Sequence, residues 1–225
     1  MGTLRVGVIV PSPPFNGMDG DAGLDIDLMT AIADAIGETA QFVPSDRATV
    51  FDALAAGDLD CVAGVTVTDE RERRAAFAPP YLITGQAIAV DTARLPHVHA
   101  VEDLAGLTLA VERDNPARQV AEGAERIEPY DDVTTALSDL SAGRCDAVMA
   151  LGPTLTELTK ELPGVDVVQK GLSVENVAVA VAAHDQQLLS RISVAQAELE
   201  DAGTLQQIRR KWLGNPYADQ SLAVH

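Results

Sequence analysis

Two stretches of the sequence match each other in register and decide the fold class. Residues 54–64 read Leu54-Ala-Ala-Gly57-Asp-Leu-Asp60-Cys-Val-Ala-Gly64, and residues 140–150 read Leu140-Ser-Ala-Gly143-Arg-Cys-Asp146-Ala-Val-Met-Ala150. In both stretches a helical pattern ends at a glycine, which is typical of a helix C-terminus, and an aspartate precedes an apolar strand pattern. An internal repeat of this kind indicates two lobes built on one plan.

The segments around each copy alternate between strand and helix patterns. Before the first copy, residues 4–10 form a β-branched run, residues 24–37 carry apolar residues at helical spacing, and residues 41–43 predict a short strand. Around the second copy, residues 108–111 and 146–151 predict strands, and residues 134–142 predict a helix. Because parallel strands need crossover connections, the alternation predicts an α/β fold whose mainly parallel sheets are flanked by helices.

Two further segments, residues 85–90 and 176–183, are typical of strands that cross from one lobe to the other. With two crossings, the first lobe contains both chain termini and the second lobe is inserted within it. We therefore expect residues 1–86 and 181–225 to form lobe 1 and residues 87–180 to form lobe 2, with the two crossover strands acting as a hinge.

The composition excludes several classes of function. The 16 Lys and Arg residues face 34 Asp and Glu residues, and the resulting net charge of −18 repels nucleic acids and anionic lipid headgroups. No apolar run reaches the roughly 18–20 residues that a membrane span needs. Cys61, Cys145 and the four histidines have no metal-ligand spacing. We therefore expect no nucleic-acid partner, no metal and no cofactor.

Short motifs distributed along the whole chain resemble those of one protein family. They include Gly23-Leu-Asp-Ile-Asp27-Leu28, Thr66-Val-Thr68-Asp-Glu-Arg71, Phe77-x-x-Pro80-Tyr81 and the terminal Lys211-Trp212-x-Gly214. In this order they resemble the extracytoplasmic amino-acid-binding proteins of ABC importers, which form bacterial solute-binding protein family 3. The resemblance implies a periplasmic-binding-protein type II fold, in which two lobes close by hinge bending on a ligand in the cleft between them.

The same resemblance implies a location and a set of partners. The protein is expected to be an extracytoplasmic monomer that binds a small carboxylate ligand and serves an ABC permease. The first residues, Met-Gly-Thr-Leu-Arg-Val, lack the features of a signal peptide. From these residues alone, either the protein is cytoplasmic or the sequence begins after a removed segment, and both alternatives are open at this point.

The resemblance assigns three ligand-binding residues to lobe 1. Arg71 binds the α-carboxylate of the ligand, for which a guanidinium offers a rigid bidentate fork. Thr66 adds a hydroxyl or a backbone N–H to the same carboxylate, and the Gly64 carbonyl accepts a hydrogen bond from the ligand ammonium. Without the resemblance, Arg71 would be interpreted as a surface arginine beside Glu70 and Glu72.

Other ligand contacts are assigned to two loops. In lobe 1, Ser12 and Phe15 line the side-chain pocket, and the aromatic residue that the family has at the position of Ser12 is missing. In lobe 2, Asn115 supplies an N–H and an amide, whereas Pro116 has no N–H to donate. Asp114 is a candidate contact, and its pattern favours a structural role as the N-cap of a helix beginning near Pro116.

The main departure from the family pattern is Leu151. The family usually has an acid at this position, which neutralises the α-ammonium of the ligand, and a buried ammonium without a counter-charge is costly. Three explanations are open at this point: the ligand lacks a free amine, another acid such as Asp114, Glu112 or Glu175 replaces the missing one, or the alignment slips.

The leading hypothesis is a non-enzymatic receptor that captures an amino acid or a derivative. One alternative is a ligand-sensing domain of a larger receptor, which the length of the native gene would reveal. The other is a cyclohexadienyl-dehydratase-like enzyme on the same scaffold. Such an enzyme needs a general acid in the cleft, for which Glu112 and Asp114 are the candidates.

Overall fold

The computed structural model describes residues 2–17, 20–113, 115 and 124–214, which form two compact units. Unit 1 is the described part of Met1–Leu82 and Asn176–His225, and unit 2 is the described part of Ile83–Glu175. The chain thus changes from one unit to the other at residues 82/83 and 175/176. The sequence pattern predicts these changes at 86/87 and 180/181. Unit 2 is one segment of the chain, and unit 1 is assembled from two.

The described part of the chain contains eleven strands and seven α-helices. The strands are β1 (Gly2–Ile9), β2 (Glu38–Ser45), β3 (Cys61–Thr66), β4 (Ala75–Phe77), β5 (Leu82–Thr84), β6 (Gln86–Asp91), β7 (Thr108–Glu112), β8 (Arg126–Tyr130), β9 (Ala147–Leu151), β10 (Val165–Gln169) and β11 (Glu175–Ala182). The helices are α1 (Leu24–Ala35), α2 (Val50–Ala56), α3 (Asp69–Glu72), α4 (Val133–Ser141), α5 (Gly152–Leu158), α6 (Gln186–Asp201) and α7 (Thr204–Leu213).

The two units have sheets of the same topology. The strand order is β2-β1-β3-β11-β4 in unit 1, where β5 also pairs with β11, and β8-β7-β9-β6-β10 in unit 2. In each sheet the first three strands are parallel and the last two are antiparallel to their neighbours. The predicted α/β class is confirmed, and the antiparallel strands come from the crossover strands β6 and β11, whose direction the helix–strand alternation does not specify.

The repeated stretches of sequence occupy matching places in the two units. In unit 1, the Asp60 carboxylate accepts the backbone N–H of Arg5 at 2.7 Å, and the Asp60 N–H donates to the Arg5 carbonyl at 2.9 Å. In unit 2, Asp146 makes the same two bonds with Thr108, each at 2.9 Å. Each aspartate therefore joins the chain just before one parallel strand (β3 or β9) to its parallel neighbour (β1 or β7).

Apolar side chains from the helices and sheets are buried in each unit. Helix α1 buries Leu24, Leu28 and Ile32, and α4 buries Leu137 and Leu140. Each such side chain stabilises the folded state by about 1.5–3 kcal/mol. No helix in the described part of the chain is long and apolar enough to cross a membrane.

Candidate functional site

The predicted ligand residues of unit 1 lie at the carboxyl ends of its parallel strands. Ser12 and Phe15 follow β1, Gly64 and Thr66 are in the second half of β3, and Arg71 is in α3, which follows β3. Loops at this edge commonly form the ligand sites of open α/β sheets. The fold therefore gathers these residues on one edge of the unit 1 sheet.

Arg71 is oriented by the motif in which it occurs. The side-chain hydroxyl of Thr68 caps α3 by accepting the Arg71 backbone N–H at 3.3 Å. The Arg71 Nη1 donates to the Thr66 carbonyl oxygen at 2.8 Å. The guanidinium carbon also lies 5.9 Å from the centre of the Phe51 ring, within the range of a cation–π contact. These contacts orient a half-buried guanidinium and bring Arg71 and Thr66 together.

Gly64 lies in a bulge of β3. Its φ of +75° is in the left-handed region, and the register between β3 and β11 shifts here, so that three steps along β3 match two along β11. A Cβ atom on Gly64 would lie 2.3 Å from Asp25 Oδ2. Both the backbone conformation and the space around it therefore require glycine.

Gly64 is bonded to a buried network that the sequence analysis missed. Its N–H donates to the Tyr81 hydroxyl at 3.0 Å, and that hydroxyl donates to Asp25 Oδ1 at 2.5 Å. The Asn16 Nδ2 donates to Asp25 Oδ2 at 3.0 Å. Burial raises the pKa of Asp25 to about 7, although the bonds from Tyr81 and Asn16 act to lower it. The available signal in the sequence was an acid between two apolar residues at the start of a helix.

Ser12 and Phe15 make structural contacts in unit 1. The backbone N–H and carbonyl of Ser12 pair with those of Asn16 at 3.1 and 2.9 Å, which closes the loop after β1. The Phe15 side chain is only 3% exposed. The position of Phe15 fits a core residue better than the wall of an open pocket.

The corresponding edge of unit 2 carries the other predicted residues. Strand β7 ends at Glu112 and strand β9 ends at Leu151, and because the two strands are parallel these ends lie on the same edge. The Asn115 side chain donates from Nδ2 to Gln86 Oε1 at 3.0 Å, and its backbone N–H donates to the Glu112 carbonyl at 3.1 Å. Asp114 lies outside the described residues, so its assigned roles stay predictions.

A buried glutamate lies beside the cross-strand partner of Leu151. Leu151 pairs with Gln86 across the antiparallel strands β9 and β6. The Gln86 Nε2 donates to Glu175 Oε1 at 3.4 Å, and the Ser173 hydroxyl donates to the same oxygen at 3.0 Å. Glu175 is 5% exposed, whereas Glu112 is half-buried. The structure thus distinguishes two of the acids that the sequence analysis considered as replacements at Leu151.

The chemistry of both edges is that of hydrogen bonds and charge. Within the residues that the structure describes, no three His, Cys, Asp or Glu side chains are grouped so that they could hold a metal ion. The groups present instead are the Arg71 guanidinium, the Asn115 amide and the Glu175 carboxylate. A guanidinium pairs with carboxylates, and a carboxylate pairs with ammonium groups.

Comparison with known protein families identifies one match. The model of the bacterial extracellular solute-binding proteins, family 3, matches residues 4–215. Among curated relatives, the L-cystine-binding protein TcyJ of Escherichia coli (strain K12) is 29% identical over 222 residues, which cover 95% of this chain and 83% of the relative.

Solved structures share the fold over nearly the whole chain. An ancestral arginine-binding protein bound to arginine is 34% identical with a TM-score of 0.86, covering 95% of this chain and 99% of that one. A histidine kinase sensor domain with similarity to periplasmic binding proteins is 30% identical with a TM-score of 0.86, covering 94% and 96%. With its type II periplasmic-binding-protein fold and a family match from residue 4 to residue 215, the chain belongs to the bacterial extracellular solute-binding proteins of family 3.

Proposed function

We propose that this protein captures an amino acid, or a close derivative, outside the cytoplasm and delivers it to the permease of an ABC importer. The family is one of extracellular binding proteins, and the relatives named above bind cystine and arginine. We also propose that the protein acts as a monomer, since copies with a net charge of −18 repel one another.

The oriented guanidinium of Arg71 is the observation that carries this proposal. An arginine that is fixed by a hydrogen bond and an aromatic ring loses little side-chain freedom when it binds a carboxylate, which favours tight binding. Thr66, whose carbonyl orients Arg71, also has a hydroxyl and an N–H that can donate to a carboxylate. We therefore assign the ligand α-carboxylate to Arg71 and Thr66.

The remaining predicted residues fit the other end of an amino acid. The bulge at Gly64 takes its backbone out of the regular ladder, as a carbonyl that accepts from a ligand ammonium requires. In unit 2, Asn115 is held by Gln86 and offers an amide to the ligand. The family resemblance also supports Ser12 as part of the side-chain pocket and Asp114 as a candidate ligand contact, whereas the buried Phe15 is assigned to the core.

We propose binding without catalysis, since the relatives described above are binding or sensor proteins. A ligand-sensing domain is the second candidate, and the similarity to the histidine kinase sensor domain favours it. The importer and the sensor can be distinguished by the effect of deleting the gene and by the domains that the gene encodes. Restoration of amino-acid uptake in cells that lack the gene supports the importer, and a kinase domain in the same reading frame supports the sensor.

The test is a binding screen with an Arg71→Ala variant. The standard L-amino acids and L-cystine are tested by thermal shift and then by calorimetry. A ligand at about 100 times its Kd stabilises the folded state by about 2.7 kcal/mol, which raises the Tm of a chain of this size by about 5–10 °C. Arg71→Ala should weaken binding at least ~100-fold while changing the Tm of the ligand-free protein by no more than about 2 °C.

Arg74 provides a matched control for this test. Its guanidinium lies 5.5 Å from the centre of the same Phe51 ring, but its side chain is exposed and pairs with Asp52 at 2.5 Å. Arg74→Ala should therefore bind the ligand like the wild type. Equal affinity in the wild type and Arg71→Ala would refute the assignment of the carboxylate to Arg71.

A further inference from the structure

The edge of unit 2 contains a buried acidic side chain, that of Glu175, with no cationic partner in the described part of the chain. Glu175 is 5% exposed, and its Oε1 accepts hydrogen bonds from two neutral groups, the Ser173 hydroxyl and the Gln86 amide. Among the residues that the structure describes, no Lys or Arg forms an ion pair with it. A buried carboxylate without a cation is unfavourable unless a ligand supplies the cation.

The second oxygen of Glu175 is available for such a ligand. Oε2 accepts no hydrogen bond from any described residue, and it is not one of the polar atoms that are sealed inside the protein without a partner. Two donors on Oε1 fix the plane of the carboxylate. Its orientation is therefore set before a ligand arrives, which lowers the entropy lost on binding.

The place of Glu175 corresponds to the place where an acid is missing. Gln86, which donates to Glu175, is the cross-strand partner of Leu151, so its Cα lies about 4.5–5.5 Å from that of Leu151. The same Gln86 accepts from the Asn115 amide through its Oε1. One glutamine thus connects the acid, the position of Leu151 and the loop of Asn115.

We propose that Glu175 supplies the negative charge that Leu151 lacks and binds the α-ammonium of the ligand. The ligand class is then the amino acids with a free α-amine, and not carboxylates of similar shape without one. This inference rests on the proposed function above, whose ligand is an amino acid or a close derivative, and it goes beyond that function by assigning the counter-charge to Glu175 and by requiring a free α-amine.

The test compares matched ligands on matched variants. Each amino acid of the screen is paired with the same acid without its α-amine, for example L-arginine with δ-guanidinovaleric acid and L-cystine with dithiodipropionic acid. The wild type should prefer the amine-bearing ligand by ~100-fold or more, and Glu175→Gln should lose that preference, because removing one partner of a buried charge pair has an effect of this size. The affinity of Glu175→Gln for the amine-free acid should stay within about threefold of the wild type.

Two further variants keep the test decisive. Leu151→Asp in the Glu175→Gln background places an acid beside Gln86 and should restore the preference for the amine, even if Glu175→Gln alone is less stable. Glu157→Gln removes the same charge from the exposed side chain that pairs with Lys160 on the surface of unit 2, and it should bind like the wild type because exposed charges are screened.

The outcomes separate the two proposals. A Glu175→Gln variant that keeps the full preference for the amine overturns the role of Glu175, as does a loss of preference in Glu112→Gln instead. A wild type that binds only amine-free carboxylates overturns the role of Glu175 and leaves carboxylate capture intact. A wild type that binds neither panel overturns the proposed function, and the role of Glu175 with it.

Discussion

The backbone of Gly64 has a φ of +75°, and its N–H is bonded to the Tyr81 hydroxyl. An alanine here pays about 1–2 kcal/mol for the left-handed conformation. Its Cβ would also approach Asp25 Oδ2 to 2.3 Å, and forcing extra atoms into a packed site costs about 1–3 kcal/mol more. We therefore expect Gly64→Ala to lower the free energy of unfolding, measured by urea denaturation, by about 2–5 kcal/mol.

Gly57 is the matched control for this substitution. Its φ is +80°, and a Cβ built on it meets no described atom within 4 Å from elsewhere in the fold. Gly57→Ala therefore carries the conformational cost without the clash and should lose only about 1–2 kcal/mol. Equal losses in the two variants would show that Asp25 moves aside without cost, and that the network does not fix the bulge.

The buried Asp25 carboxyl makes the stability of the protein depend on pH. Its pKa is raised to about 7 in the folded state, above the value of about 3.9 in an unfolded chain. Between about pH 4 and pH 7 the folded state therefore holds a proton that the unfolded state has released, so stability falls as the pH rises through this window. Asp25→Asn should remove this part of the slope in urea unfolding measured from pH 4.5 to pH 7.5.

Asp103 is the control for the pH experiment. Its carboxylate is exposed, and hydrogen bonds from the backbone N–H groups of His99 and Ala100 lower its pKa. Its contribution to stability has the opposite sign, because it is lost as the pH falls below about 4. Asp103→Asn should leave the slope above pH 4.5 as it is, and an unchanged slope in Asp25→Asn would contradict the assignment.

At the scale of helices and strands, the aspartate of each repeat copy makes the same pair of backbone hydrogen bonds. Removing the carboxylate of Asp146 leaves the Thr108 N–H without its acceptor and should cost about 1–2 kcal/mol of the free energy of unfolding. Asp146→Ala should also speed hydrogen exchange at the Thr108 amide, measured by NMR. Asp146→Asn keeps an oxygen in the same place and should restore most of the protection.

The first copy of the repeat tests whether the hydrogen bond from the strand N–H to the aspartate carboxylate stabilises both units. Asp60 accepts the N–H of Arg5 and also pairs with its guanidinium at 2.6 Å. Because this ion pair is partly exposed and screened by solvent, it adds only a little to the free energy of unfolding. Asp60→Ala should thus lose slightly more stability than Asp146→Ala. Unchanged exchange at both strand amides would show that the aspartates do not hold the parallel strands.

The elements that the sequence predicted are those with local signals. A glycine after an apolar helix face and an aspartate before an apolar run lie within a few residues of each other, so Leu54–Gly64 and Leu140–Ala150 could be interpreted directly. The direction of β6 and β11 has no such signal, because a crossover strand takes its direction from the sheet that it enters. The bulge at Gly64 likewise depends on its pairing with β11.

In the candidate site, too, contacts between residues close in sequence could be predicted, and contacts between residues far apart in sequence could not. Thr66, Thr68 and Arg71 are close in sequence, and the motif that they form is also the one that orients the guanidinium. Asp25 bonds to a tyrosine 56 residues away, and Glu175 to a glutamine 89 residues away. No pattern within one segment predicts such pairs, so the sequence could name these acids only as candidates or miss them.

At the scale of the whole molecule, duplication of one plan explains most of the architecture. The two sheets have the same strand order, and each has its crossover strand next to the third parallel strand. The sequence predicted the duplication from eleven residues in register. The predicted site residues of each unit lie at the carboxyl ends of its parallel strands, which is the edge where loops are free to vary.

The strand order of unit 1 also dictates the course of events during synthesis on the ribosome. Strand β11 lies between β3 and β4 in the sheet, but the ribosome makes it only after strands β6 to β10 of unit 2. Until β11 emerges, β3 has an open edge of the kind that invites pairing with the wrong chain. Unit 2 has all of β6 to β10 by then. The inserted unit can therefore finish folding on the ribosome while the unit that surrounds it in sequence still waits for an inner strand.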